Sequence, residues 1–131
     1  MAFLLSIVTP QGLYLEDNVD SLTIKLSSGY RTFLTGHMPL IGAVDYAPMH
    51  FVKGDKRESF AVHGGAINVT KEKITLIVNG IENKKDIDVS RAKAAKDRAE
   101  KRLQEKDPDT DIKRAQVALL RAIARIKTCD E

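Results

Sequence analysis

The stretch Asp86-Ile87-Asp88-Val89-Ser90-Arg91-Ala92, with the Ala- and Arg-rich run that follows it to Lys127, decides how this chain is built. From Asp88 to Lys106 there is no Gly, no Pro and one β-branched residue, Val89, beside five alanines and leucines. That is helix composition. Asp88 suits the N-cap, and the acidic Asp86 and Asp88 suit the positive end of the helix dipole. Ala92, Ala95, Ala99 and Leu103 fall on one stripe. The segment Lys106-Asp107-Pro108-Asp109-Thr110 stops this helix, and Asp109 or Thr110 is placed to cap a second. The second stripe runs through Ile112, Ala115, Leu119, Ala122 or Ile123, and Ile126. A turn this short makes the two helices antiparallel. Alanine lets their axes approach but removes little area from water, at ~25 cal/mol per Å². The hairpin is therefore expected to be held weakly and able to open.

Before residue 86 the period is two. Phe3–Thr9, Ser21–Leu26 and Lys73–Val78 read as strands, with Leu22, Ile24 and Leu26 on one face and Thr23 and Lys25 on the other. Turn residues separate them at Pro10-Gln11-Gly12, Ser27-Ser28-Gly29, Lys53-Gly54-Asp55 and His63-Gly64-Gly65. Short strands at this spacing predict an antiparallel β-sandwich or flattened barrel. The fold class is thus α+β: a β-sandwich domain over 1–84, then an antiparallel two-helix hairpin over 85–131.

Composition narrows function. With 131 residues the chain is one domain, or a small domain with an appendage. Its 21 basic residues are interspersed with 18 acidic ones for a net charge of +3, which argues against bulk attraction to nucleic acid. The acidic Asp97, Glu100 and Glu105 share the first helix with the arginines, and no aromatic platform accompanies them. The single cysteine, Cys129, excludes an internal disulfide framework and fits a reducing compartment. The apolar start, Phe3-Leu4-Leu5-Ser6-Ile7-Val8, lacks a basic leader and is cut by Pro10 well short of a membrane span. There is no Gly-x-Ser-x-Gly, no Walker loop and no dinucleotide glycine fingerprint. His37, His50 and His63 lack metal-ligand spacing, and His63-Gly64-Gly65 reads as a tight β-turn rather than an oxyanion turn. The chain is expected to have no catalytic residues, no metal and no enzymatic activity of its own.

Two places remain for contacts. The loop Leu34-Thr35-Gly36-His37-Met38-Pro39-Leu40-Ile41 either returns its apolar residues to the core or presents them to a partner. In the hairpin, antiparallel pairing about the turn sets Arg91 opposite residue 124, near Arg121 and Arg125, and Arg98 opposite residue 117. Three guanidiniums close together repel unless an anion joins them, and Arg is suited to bidentate phosphate contact. Spacing alone leaves open both this anion site and an ordinary solvated face.

Together these features resemble the epsilon subunit of bacterial and chloroplast F-type ATP synthases over essentially the full chain. Ile7-Val8-Thr9-Pro10-Gln11-Gly12 is similar to the family's first strand and turn. Gly36-His37-Met38-Pro39-Leu40 is similar to its Gly-His-x-Pro-Leu loop, and Glu82 with Asp86–Lys93 to its β-to-helix junction. The chain departs from the family at Gly29-Tyr30-Arg31-Thr32, where an acidic residue is usual, and at Thr35, where Pro usually precedes Gly-His.

The resemblance implies a subunit at the foot of a rotary stalk, peripheral on the cytoplasmic face of a bacterial membrane and not inserted in it. Its partners would be the gamma subunit, the c-subunit ring and, when the hairpin extends, the alpha and beta subunits. Tyr30, Arg31, Gly36, His37, Met38 and Pro39 would make the stalk and ring contacts. The extended hairpin would block hydrolytic rotation. No cofactor is required; ATP enters as a regulatory ligand of the folded hairpin. The resemblance assigns that site to Glu82, Ile87, Asp88, Arg91, Ala92, Arg98, Arg121 and Arg125. A ligand that binds only the folded state stabilises it by about 2.7 kcal/mol at a hundredfold excess over Kd. The alternative is a free-standing ATP- or anion-sensing module with no rotary partner.

Overall fold

The structure, a computed structural model, describes residues 2–105 and 107–130. Eight strands come first: β1 (Phe3–Thr9), β2 (Gly12–Val19), β3 (Ser21–Leu26), β4 (Gly29–Leu34), β5 (Leu40–Lys53), β6 (Lys56–Val69), β7 (Lys73–Val78) and β8 (Ile81–Asn83). A 3-10 turn, Lys84–Asp86, leads into α1 (Val89–Glu105) and then α2 (Ile112–Asp130). The strands follow the order β2-β1-β7-β6-β5-β3-β4, with β8 added on β6.

The alternation read from the sequence sets the core. Leu22, Ile24 and Leu26 of β3 point inward to meet Leu5 and Ile7 of β1, Ile67 and Val69 of β6, and Ile74 and Leu76 of β7. On the outer face, the Thr23 and Thr32 hydroxyls pair across β3 and β4 at 2.9 Å. The sheet is antiparallel, as expected, except at one pair: β1 and β7 run parallel, Leu4 opposite Lys73 through Val8 opposite Ile77.

A correction concerns His63-Gly64-Gly65, which is not a turn but the middle of β6. Strand β6 pairs with β8 from Phe60 to Val62, then with β7 from Gly65 to Val69. Changing partner requires a bend, and Gly64 (φ 76°) and Gly65 (φ 150°) supply it. A Cβ on Gly65 would stand 2.1 Å from the Ile77 carbonyl oxygen, so only glycine lets β7 approach here. Strand β5 follows β6 along its length, from Leu40 opposite Val69 to Lys53 opposite Lys56.

The hairpin folds down on this scaffold. Asp88 caps α1 as expected, its Oδ1 accepting from the Arg91 amide at 3.1 Å. The cap of α2 is Asp111, accepting from the Arg114 amide at 3.1 Å, rather than Asp109 or Thr110. Thr110 instead closes a turn, its amide donating to the Asp107 carbonyl. Lys106, read as the first residue of the connection, lies outside the described residues. Ala92 and Ala99 of α1 and Ala115, Ala122 and Ala124 of α2 are buried, while Ile112, expected on the seam, is exposed. Helix α2 packs against α1 on one side and against β5 and β6 on the other. Thr128, fully buried, bonds both the Ala124 carbonyl one turn back and, at 3.4 Å, the Phe60 carbonyl of β6. No helix among the described residues is long and apolar enough to cross a membrane.

Candidate functional site

A cavity of about 380 Å³ opens where β8, the 3-10 turn and the two helices meet. The chain reaches it through a set of local caps. The Asn83 side chain accepts from the Lys85 amide at 3.0 Å, starting the 3-10 turn, and the Ile87 amide closes on the Lys84 carbonyl. Asp88 then starts α1, so Asp86, Ile87 and Asp88 face the cavity from its floor. One turn further, α1 adds Arg91 and Ala92, then Ala95 and Arg98. The small side chains leave the space that the arginines border. Glu82 enters from β8 and Arg125 from α2.

Of the eight residues the resemblance assigned to a nucleotide, Glu82, Ile87, Asp88, Arg91, Ala92, Arg98 and Arg125 line this one cavity; Arg121 does not. Asp86 and Ala95 line it too and were not among the eight. The charge pattern differs from a bare cluster of arginines. Three carboxylates, Glu82, Asp86 and Asp88, share the cavity with three guanidiniums, Arg91, Arg98 and Arg125. Arg125 is paired: its Nε donates to Glu82 Oε1 at 2.6 Å. The same oxygen lies 2.9 Å from His63 Nε2. Arg91 and Arg98 have no ion pair among the described residues, so they are the guanidiniums free to meet an anion.

Burial opposes the charge on Glu82, but the hydrogen bonds from His63 and Arg125 outweigh it and hold the carboxyl below its ordinary range. A depressed carboxylate stabilises the folded state above the ordinary value of about 4.5 and loses that contribution as pH falls through its folded value. Its Arg125 partner sits 43 residues away on α2, so this bond ties the hairpin to the β domain.

The second contact region is the loop after β4. Met38 is 83% exposed and Ile41 81%, with Leu34 also in solvent, while Leu40 packs on the core. His37 turns inward, its ring edge-on to Phe3 at 5.1 Å and to Phe33 at 6.1 Å. Gly36 has φ 84°, which reverses the chain between Leu34 and Met38. Pro39 and Arg31 are exposed, as is Tyr30, whose ring lies 6.0 Å from the Lys25 ammonium. Tyr30 and Arg31 stand on β4, the edge strand, and Gly36 to Pro39 on the loop after it.

Comparison with known proteins agrees with this architecture half by half. The model for the ATP synthase delta/epsilon chain β-sandwich domain matches residues 2–84, and that for the delta/epsilon chain long α-helix domain matches 85–130. The chain is 40% identical over 124 residues to an ATP synthase epsilon chain of Bacillus cytotoxicus, covering 95% of this chain and 93% of that one. It is 39% identical over 127 residues to the epsilon chain of Staphylococcus aureus, covering 96% and 95%. Among solved structures, a chain of the Euglena gracilis mitochondrial ATP synthase, an assembly of OSCP, F1 and c-ring, superposes with a TM-score of 0.84. That likeness covers 94% of this chain and 78% of the other at 18% identity, and it speaks to the fold alone. With both halves matched in order and bacterial relatives aligned nearly end to end, the chain belongs to the family of ATP synthase epsilon subunits.

Proposed function

We propose that this chain is a non-catalytic regulator at the foot of the ATP synthase central stalk, and that ATP in the hinge cavity holds its hairpin down. One observation carries the reading. The cavity takes its walls from β8, α1 and α2 together, so it exists only while the hairpin is folded. A ligand that fills it binds one state and not the other, which is the condition for a ligand to shift a conformational equilibrium.

The chemistry of the walls suits a nucleotide. Arg91 and Arg98 offer planar donors to phosphate oxygens, and Arg125 can turn toward them while keeping its tie to Glu82. Asp88 uses one oxygen to cap α1, which leaves the other free to accept from an adenine amino group. The alanine seam supplies little competing stability. When ATP falls, the helices are released to extend along the gamma subunit and reach the alpha and beta subunits, stopping wasteful hydrolysis. The exposed Leu34, Met38 and Ile41, with Tyr30 and Arg31 on the adjoining strand, form the face offered to the gamma subunit and the c ring. The subunit then lies peripherally at the cytoplasmic side of the membrane.

Deletion of residues 86–131 tests the division of labour. The shortened chain keeps every strand and is expected to assemble with gamma, while ATP hydrolysis by the assembled enzyme rises. Failure to assemble, or hydrolysis unchanged in assembled enzyme, would contradict the proposal.

A further inference from the structure

His63 belongs to none of the residue sets above, yet it sits behind the cavity wall. It lies in β6 just before the bend, 3% exposed, its amide donating to the Gly80 carbonyl at 2.9 Å. Its Nε2 meets Glu82 Oε1 at 2.9 Å, and that same oxygen takes the Arg125 Nε–H at 2.6 Å. One carboxylate oxygen therefore joins β6, β8 and α2. Because Glu82 is ionised, Nε2 carries the proton of the neutral ring. Nδ1 is then a bare lone pair, buried and without a partner among the described residues.

A second proton would go to Nδ1, where no acceptor waits. It would also add a positive charge beside Arg125 and Arg121 of α2, with Glu82 of β8 as counterion and the Tyr46 ring of β5 at 6.3 Å. Gly80 lies close to the ring: a Cβ there would stand 3.2 Å from His63 Cδ2. The folded hairpin thus suits the neutral ring and penalises the charged one. Burial, aided by the two arginines and opposed by the Glu82 bond, lowers the His63 pKa from its ordinary 6.5.

We propose that His63 is a positioning residue of the hinge cavity: neutral, it fixes Glu82 and through it Arg125, and on gaining a proton it releases α2 from the β domain. Its bearing on nucleotide rests on the function proposed above; its bearing on docking does not. Opening carries Arg125 and Arg121 of α2 away from His63, so the open state takes up the proton more readily than the docked state. The contribution to docking is complete at alkaline pH and is lost as pH falls through the range in which the open state takes up the proton, by up to tenfold in the docking equilibrium per pH unit for one proton.

The test uses the full chain without nucleotide. Hydrogen exchange of the α2 amides, corrected for the intrinsic effect of pH on exchange, is followed from about pH 8 to 5.5, a range spanning the ordinary imidazole value. Protection of α2 is expected to fall on acidification in the natural chain while that of β1 and β7 holds. In His63→Gln, which keeps a donor but cannot titrate, it is expected to stay level. An equally steep fall in His63→Gln, or no fall in the natural chain, overturns the proposal. If the variant does not dock at any pH, NMR titration of His63 in the natural chain decides. Titration below 6.5 in step with loss of α2 protection supports the proposal, and titration at or above 6.5, or out of step, overturns it. Calorimetry with ATP at both ends of the range separates the two ideas. A pH-dependent latch with no ATP binding removes the nucleotide and keeps His63; ATP binding with pH profiles unchanged in His63→Gln does the reverse.

Discussion

Replacing Arg125 with Ala is expected to loosen the hairpin and to weaken ATP binding together, whereas Arg91→Ala weakens ATP binding alone. The difference follows from their partners. Arg125 holds Glu82 at 2.6 Å and so spans from α2 to β8. Its loss leaves a half-buried carboxylate with His63 as remaining donor, a change worth on the order of 1–2 kcal/mol once partial exposure is discounted. Arg91 is exposed and has no ion pair among the described residues, so its removal leaves the docked hairpin intact. Toward a triphosphate both lose a charge-assisted contact. At about 2–3 kcal/mol each, affinity drops roughly 30- to 150-fold. Calorimetry with ATP and exchange protection of α2 without it check the pair. Unchanged affinity in both variants would remove these arginines from the site.

Gly65→Ala is expected to bring the largest loss of stability in the β domain, about 4 kcal/mol, out of a total on the order of 5–15 kcal/mol. The added methyl would meet the Ile77 carbonyl oxygen at 2.1 Å and Val78 Cα at 2.7 Å, both backbone atoms of the paired strand. Neither can step aside without separating β6 from β7. Gly42→Ala on the neighbouring β5 is the control. Its methyl would find Ile67 and Leu26 side-chain carbons at 3.6 and 3.7 Å, ordinary contact, and its φ is not in the left-handed range. That variant is expected to lie within about 1 kcal/mol of the parent. Urea denaturation of the two full-length variants measures the difference, and equal midpoints would contradict the role given to Gly65.

The bend at Gly65 also shows where the sequence stops being legible. Strands β3 and β7 could be read because each buries one face and alternates cleanly, and β1 because its short apolar run ends at a turn signal. Strands β5 and β6 could not, because Gly42, Pro48 and the Gly64-Gly65 pair interrupt their pattern with residues that ordinarily mark turns. Glycines in a strand that changes partner look, in one dimension, like glycines between two strands. The parallel pairing of β1 with β7 was hidden for another reason: a strand's alternation records which face is buried but not the direction of its neighbour. The caps show the same limit on a small scale, since Asp109, Thr110 and Asp111 all have capping side chains and only the geometry selects Asp111.

At the cavity, the Ile87-Asp88-x-x-Arg91-Ala92 run was located through the resemblance to the family, while from the residues alone the Asp88 cap could be read and ideal antiparallel pairing brought Arg125 near Arg91. Pairing placed Arg121 there as well, but it stands outside the lining. The tie from His63 to Glu82 was not legible. It spans 19 residues and depends on the β6 bend, which the sequence had presented as a turn.

The central claim is that ATP and the folded hairpin stabilise one another. Its most direct measure is exchange protection of the α1 and α2 amides in the isolated full chain, titrated with ATP at fixed pH. Protection in both helices is expected to keep rising with ATP above Kd, by about a hundredfold at a hundredfold excess, while β1 and β7 stay unchanged. ATP that leaves α1 and α2 protection where it was, at concentrations that saturate any binding seen by calorimetry, would contradict the claim.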